Sequence, residues 1–218
     1  MKFNCRLIAF SFLVVVGSGH SAWSGGWPEW GGSPDKNMVS AERGLPTDIS
    51  GGEESEDNED EIMRASARGC KWVVTLGSES YGTPTIGNGL VLVGTNNEKP
   101  RNPGIVGDRG VVMAFDEKSG SFRWQLTVPK LPGGDEIDWE YLGICSSTLI
   151  HGDRGYVVTN RAEVVCLDLK GLADGNDGFA EEGRYMAGPG KEPSKVGPTD
   201  ADILWTFDMI KSVGVVPH

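Results

Sequence analysis

Residues Gly110 to Leu126 read GVVMAFDEKSGSFRWQL. Two apolar runs flank a short polar segment containing Gly120, the pattern of a strand, a tight turn and a second strand. In such a turn Asp116 can accept backbone N–H groups and Gly120 can supply a positive φ. Alternation puts Val112 and Ala114 on one face of the first strand, and Val111, Met113 and Phe115 on the other. Both faces are apolar, so the sheet is expected to be covered on both sides. Trp124 is large enough to wedge between two such layers, with its indole N–H reaching a backbone acceptor.

Working outward, the stretch repeats. At an offset of 52, Val112 falls on Val164, Phe115 on Leu167, Asp116 on Asp168 and Lys118 on Lys170. Upstream, TPTIGNGLVLVGTN (83–96) aligns without a gap on STLIHGDRGYVVTN (147–160), at an offset of 64. Phe122-Arg123-Trp124 falls on Ile203-Leu204-Trp205 at an offset of 81. The changes of offset place 12 extra residues between the second and third strands of the first unit, around EKPRNPGIVGDRG. They place 29 extra between the third and fourth strands of the second, covering most of 171–201. Both insertions are rich in Gly, Pro and charge, and are expected to be surface loops on a regular frame. Without them each unit is about 45 residues of four strands, the size of a propeller blade.

The same kind of run recurs at CKWVVTLG (70–77), YGTPTIGN (81–88), CSSTLIHG (145–152), GYVVTNR (155–161), EVVCLDL (163–169) and DILWTFDM (202–209). No stretch carries a persuasive 3.6-residue period, so helix is expected to be minor. The class is therefore all-β.

Upstream lie two segments of other character. Lys2 and Arg6 precede a ten-residue apolar run, Leu7 to Val16, followed by the small residues of GSGHSA. That run is too short to span a bilayer and has the order of a secretory signal, so residues 1–22 are expected to be removed on export. Cys5 precedes the apolar run and is no lipoprotein acceptor. No other run is long enough for a membrane span. Residues 23–69 form a lead-in with Trp23, Trp27 and Trp30 close together, then the acidic run EESEDNEDE (53–61), expected to be a solvated loop. Residues 70–218 are expected to hold the repeats, with units at about 80–128 and 144–209.

The formal charge of −11 becomes −13 once Lys2 and Arg6 are lost. A chain so acidic lacks the basic face that nucleic-acid binding requires. The three remaining cysteines, Cys70, Cys145 and Cys166, allow one disulfide and one free thiol, or three free thiols. Cys145 and Cys166 read as strand residues packed as small hydrophobes rather than as a bridge. With no CxxC and only His20, His151 and His218, no zinc pattern exists.

The strand ending Ala114-Phe115-Asp116, the turn with Gly120 and the strand with Trp124 resemble the repeat of the pyrroloquinoline-quinone (PQQ)-like β-propellers of exported bacterial proteins. Cys166-Leu167-Asp168 and Trp205 make a second copy, which lacks the turn Gly where its long insertion begins. Trp72 resembles the outer-strand Trp of a preceding blade, and WPEWGGSPDKNMVS the lead-in of such proteins. The resemblance implies an incomplete β-propeller of four-stranded antiparallel blades: two recognisable blades, the outer strand of a third, and long loop insertions. It implies a periplasmic or extracellular protein whose partners are other proteins or missing blades. As an isolated chain, such an incomplete propeller is expected to be poorly soluble or oligomeric.

The resemblance covers both enzymes and scaffolds. A quinone enzyme of this type is expected to show a Trp floor, an adjacent Cys–Cys pair and a calcium site of Glu, Asn and Asp. This chain has no Cys–Cys pair, and Trp72, Trp124 and Trp205 are taken by blade docking. A non-catalytic binding or assembly scaffold is therefore expected; PQQ and calcium belong only to the alternative, the N-terminal part of a PQQ-dependent alcohol or sugar dehydrogenase. No catalytic or metal-binding residue is assigned. Trp139 reads as a loop anchor rather than a ligand contact. Asp174–Gly178 (DGNDG) is one residue short of a calcium loop and reads as a turn. The tetrapeptide GDRG, at 107–110 and 152–155, precedes a strand each time and also reads as a turn.

Overall fold

The computed structural model describes residues 26–133 and 137–217. The expected signal segment, 1–22, lies outside them. The described chain is nearly all β. Its elements are β1 (Glu53–Ser55), β2 (Asn58–Met63), β3 (Thr85–Gly87), β4 (Leu90–Asn96), β5 (Arg109–Asp116), β6 (Phe122–Pro129), β7 (Leu149–His151), β8 (Arg154–Val158) and β9 (Glu163–Asp168). Short helices α1 (Glu182–Ala187) and α2 (Met209–Val213) flank the last strand, β10 (Asp202–Asp208). None of these helices is long and apolar enough to cross a membrane.

Two four-stranded antiparallel sheets follow one another, β3-β4-β5-β6 and β7-β8-β9-β10. Each is a blade whose strands pair in chain order, so two blades of an incomplete β-propeller stand side by side. The blades meet through one core. Leu92, Val112, Ala114, Trp124, Leu126 and Val128 of blade one pack on Ile150, Val157, Val165, Leu167 and Ile203 of blade two. The opposite face of blade one gathers Val93, Val111, Met113 and Phe115 with Trp72, Val74, Leu76 and Phe122. The alternation expected along β5 thus divides its side chains between two cores.

The repeat extends to a backbone irregularity. In blade one the pairing of β5 with β6 shifts so that Ala114 faces Trp124 while Phe115 faces Phe122. In blade two Cys166 faces Trp205 while Leu167 faces Ile203. Each outer strand carries one extra residue, Arg123 or Leu204, directly before its Trp. Such a bulge turns the strand and re-aims the side chain that follows.

The lead-in ties the blades at their inner edge. Trp27 exchanges two backbone hydrogen bonds with Ile86 of β3, and Ile150 of β7 donates to the Pro28 carbonyl.

Four expectations are corrected. The acidic run 53–61 is the hairpin β1–β2, not a loop; Glu53 faces Met63 and Glu54 faces Ile62. A two-stranded ribbon lying in solvent needs backbone pairing and no apolar face, so composition carries no signal of it. Residues 70–77 lie in the position of an outer strand but pair with no strand. Cys145 lies outside the strands and is exposed, whereas Cys166 is buried on β9; all three described cysteines are free thiols. The insertions are more than surface loops. Ile105 of the first and Met186 and Ala201 of the second are buried. Backbone bonds from Gln125 to Thr199 and from Ala201 to Gln125 seal the outer edge of β6.

Candidate functional site

The docking unit of this fold is a Trp seated in a socket on the next blade. Trp124 donates its indole N–H to the Leu169 carbonyl at 2.8 Å. Its ring lies against Gly171, where an added Cβ would come within 2.7 Å of it. Gly171 has φ +62°, and this is the turn glycine expected to be missing. It stands three residues after Asp168, one fewer than separate Asp116 from Gly120, so a gapless alignment lands on Leu172 instead. Trp72 repeats the arrangement one blade earlier. Its indole N–H reaches the Glu117 carbonyl at 3.0 Å. Gly120, with φ +70°, lies under its ring at 2.6 Å from a built Cβ.

The aspartates hold these sockets in shape. Asp116 accepts the Lys118 and Ser119 backbone N–H groups at 3.1 and 2.9 Å and pairs with Arg123 at 2.7 Å. The Arg123 hydrogen bond, followed by those from Ser119, holds its carboxyl well below the usual carboxylate range. Asp168 accepts from Lys170 at 2.8 Å and pairs with Arg154 at 2.9 Å.

The third docking Trp has no socket among the described residues. On the distal face of blade two, Tyr156, Cys166 and Trp205 stand opposite one another across β8, β9 and β10. Leu92, Ala114 and Trp124 stand so across β4, β5 and β6. The neighbouring row is Val158, Val164 and Phe207 in blade two, and Gly94, Val112 and Leu126 in blade one. The two faces therefore match register for register. Their exposure does not. Trp124 and Leu126 are each 1% exposed, whereas Trp205 is 45%, Phe207 42% and Val158 43% exposed. Tyr156 lies beside Trp205 with ring centroids 6.1 Å apart. This aromatic patch, over a sheet face of branched side chains, has the composition of a protein-docking surface.

A second cluster fixes the linker between the blades. The Lys130 ammonium lies 2.7 Å from Asp138 and 3.3 Å from Asp108. Asp138 also accepts from the Leu131 backbone at 3.0 Å and from the Asn160 amide at 2.8 Å. Asp108 accepts the Tyr141 backbone N–H at 2.8 Å. Asn96, the repeat partner of Asn160, donates to the Tyr141 carbonyl at 2.6 Å. The bonds from Lys130, Asp138, Asp108, Asn160 and Asn96 hold the linker and its flanks together as a clamp, while Asp108 Oδ1 and Asn160 Oδ1 are buried without a hydrogen-bond partner. Sequence reading missed it, although the repeated Thr-Asn pair at 95–96 and 159–160 was its signal. Trp139, expected to anchor its loop, is 57% exposed. Its backbone carbonyl receives Lys130, and the buried residue of this loop is its neighbour Asp138. Burial and Asp138 push the nearby Cys145 thiol up, away from thiolate character.

The remaining expected turns have structural partners. In DGNDG, Asp174 pairs with Lys170, Asn176 donates to Glu182, and the Asp177 backbone donates to Asp202. Burial first, then the nearby Glu182, raise the Asp202 pKa. Arg109 of the first GDRG donates to the Met186 carbonyl, joining the two insertions. Arg154 of the second pairs with Asp168. The indole N–H groups of Trp72 and Trp124 are engaged by backbone carbonyls, the three described cysteines are free thiols, and no three acidic, His or Cys side chains among the described residues are grouped to hold a metal ion.

No family model matches the chain, and no curated protein matches it. Among solved structures, the crystal structure of BamB from Moraxella catarrhalis is similar to it at 15% identity and a TM-score of 0.32. That likeness covers 59% of this chain and 23% of the BamB chain.

Proposed function

We propose that this protein is an exported, non-catalytic β-propeller-type scaffold that binds another protein on the distal face of its second blade. One observation carries the reading: the face built from Tyr156, Trp205, Phe207 and Val158 has the register of the face by which blade one holds blade two, yet is exposed. A sheet face that is apolar and aromatic in this way gains free energy when another layer covers it. Export rests on the order of charge, apolar run and small residues in 1–22. The divisions at 22 and 69, and the acidic character of the whole chain, fit a scaffold working in the cell envelope or outside the cell rather than on nucleic acid.

The test is a photo-crosslinking amino acid at position 207, on the same face and 42% exposed, in the full chain in its cells, with Trp205 kept and one at exposed Val39 as control. Protein adducts are expected from 207 and not from 39. An absence of adducts at 207 would overturn the docking reading. Dye reduction with an alcohol or sugar, in the presence of added PQQ and calcium, would overturn the non-catalytic one.

A further inference from the structure

We propose that copies of this chain associate head to tail, the distal face of blade two of one copy docking on the leading face of blade one of the next. We propose also that residues 70–77 hold that leading face by filling its socket. The inference rests on the docking reading above and names the occupant.

The face that receives a docking Trp occurs twice in the chain. In blade two it consists of Val157, Val165 and Leu167, with the Leu169 carbonyl and Gly171 as socket. In blade one the same register gives Val93, Met113 and Phe115, with the Glu117 carbonyl and Gly120 as socket. Trp205 already carries the bulge, the row partners and the exposed ring of a docking Trp. The surface complementary to it is therefore a surface this chain itself presents.

That surface is only partly covered. Residues 70–77 lie on it as one extended segment, held by Trp72, Val74 and Leu76. Among the described residues, no backbone N–H from Lys71 to Leu76 finds an acceptor. Between the segment and Ile86, Val91, Val93 and Phe115 an apolar cleft of about 460 Å³ remains. A blade seated there would bury what a single strand leaves open. Trp72 wins the socket in a lone copy because it is tethered to it, at an effective concentration in the ~mM range. Trp205 of a second copy competes for the same carbonyl and the same glycine. Such contacts are heterologous, so they build rings or open chains rather than two-fold dimers.

Removing the two Trp residues should act in opposite directions. Sedimentation velocity of the full chain, over a range of protein concentrations, compares wild type, W72A, W205A and W72A/W205A. W72A is expected to associate at a protein concentration about tenfold or more below wild type, since the tethered competitor is gone. W205A is expected to be monomeric throughout, and the double variant to return to monomer. Should W72A fail to fold, W72F keeps a smaller aromatic ring but loses the indole N–H, and is expected to shift association in the same direction. A folded W72A or W72F no more associated than wild type would overturn the proposal. So would association that survives W205A, because exposed core rather than Trp205 would then drive it. Adducts at position 207 to a different protein, with monomeric W72A, would leave the scaffold reading standing and remove this one.

Discussion

A single glycine decides whether a docking Trp can close its interface. Gly171 combines φ +62° with the Trp124 ring, so a side chain there would meet both a backbone penalty and an occupied volume. Gly190 has φ +71° with nothing within 4 Å of a built Cβ, and so carries the first cost without the second. G190A should therefore cost about 1 kcal/mol, the price of a left-handed Ala. G171A should cost about 3 kcal/mol or more, because the ring must also leave its seat. Urea denaturation of both variants measures the difference; equal losses would mean that the Trp–Gly contact contributes nothing to stability. At this scale the sequence was legible where a residue has one physical use. Asp116, Gly120 and Trp124 each perform the turn or docking task that their chemistry implied. Gly171 was missed because its turn is shorter by one residue, and Trp139 was misjudged because a large ring does not itself say which neighbour is buried.

Elements are held either by a ladder or by side chains, and the two kinds should behave differently. β5 is paired on both edges, with β4 and β6. Residues 71–76 are held by the side chains of Trp72, Val74 and Leu76 and by Arg101, which donates to the Thr75 carbonyl, with their amides unpaired among the described residues. Hydrogen exchange of the monomer at low concentration should therefore release the amides of 72–76 at least about 100-fold faster than those of β5. Protection of 72–76 equal to β5 would show that a strand pairs there. This division also explains what the sequence revealed. Blade strands were legible because burial selects short apolar runs, continuous where both faces are covered and alternating where one is, bounded by turn residues. The β1–β2 hairpin was not, since among its described side chains none is buried and no period is selected. The contacts of the insertions, such as Thr199 and Ala201 on Gln125, are backbone bonds at an edge, which any non-proline residue can make.

For the whole molecule the question is whether two blades fold as one unit. The shared core draws on both sheets, and Trp124 is its largest side chain at 1% exposure. Other links are thinner: the lead-in bonds at Ile86 and Ile150, and the insertion bonds at Gln125. Each sheet also keeps its own ladders when the interface is loosened. Truncating Trp124 should thus do two things. It should cost about 3–5 kcal/mol, as expected for a buried Trp replaced by Ala. That is a large share of the ~5–15 kcal/mol that holds a typical domain together. It should also loosen the coupling of the blades, since the largest side chain of the shared core is lost and only smaller ones such as Leu92, Val112, Leu126 and Val128 still bridge the sheets. In urea, wild type is expected to show coincident transitions by far-UV circular dichroism and by indole fluorescence. W124A should show separate midpoints, with Trp72 reporting blade one and Trp205 blade two. If W124A instead unfolds in one coincident transition at a lower midpoint, then the rest of the shared core and the backbone links suffice to couple the blades. The Trp sockets would then set stability without setting cooperativity.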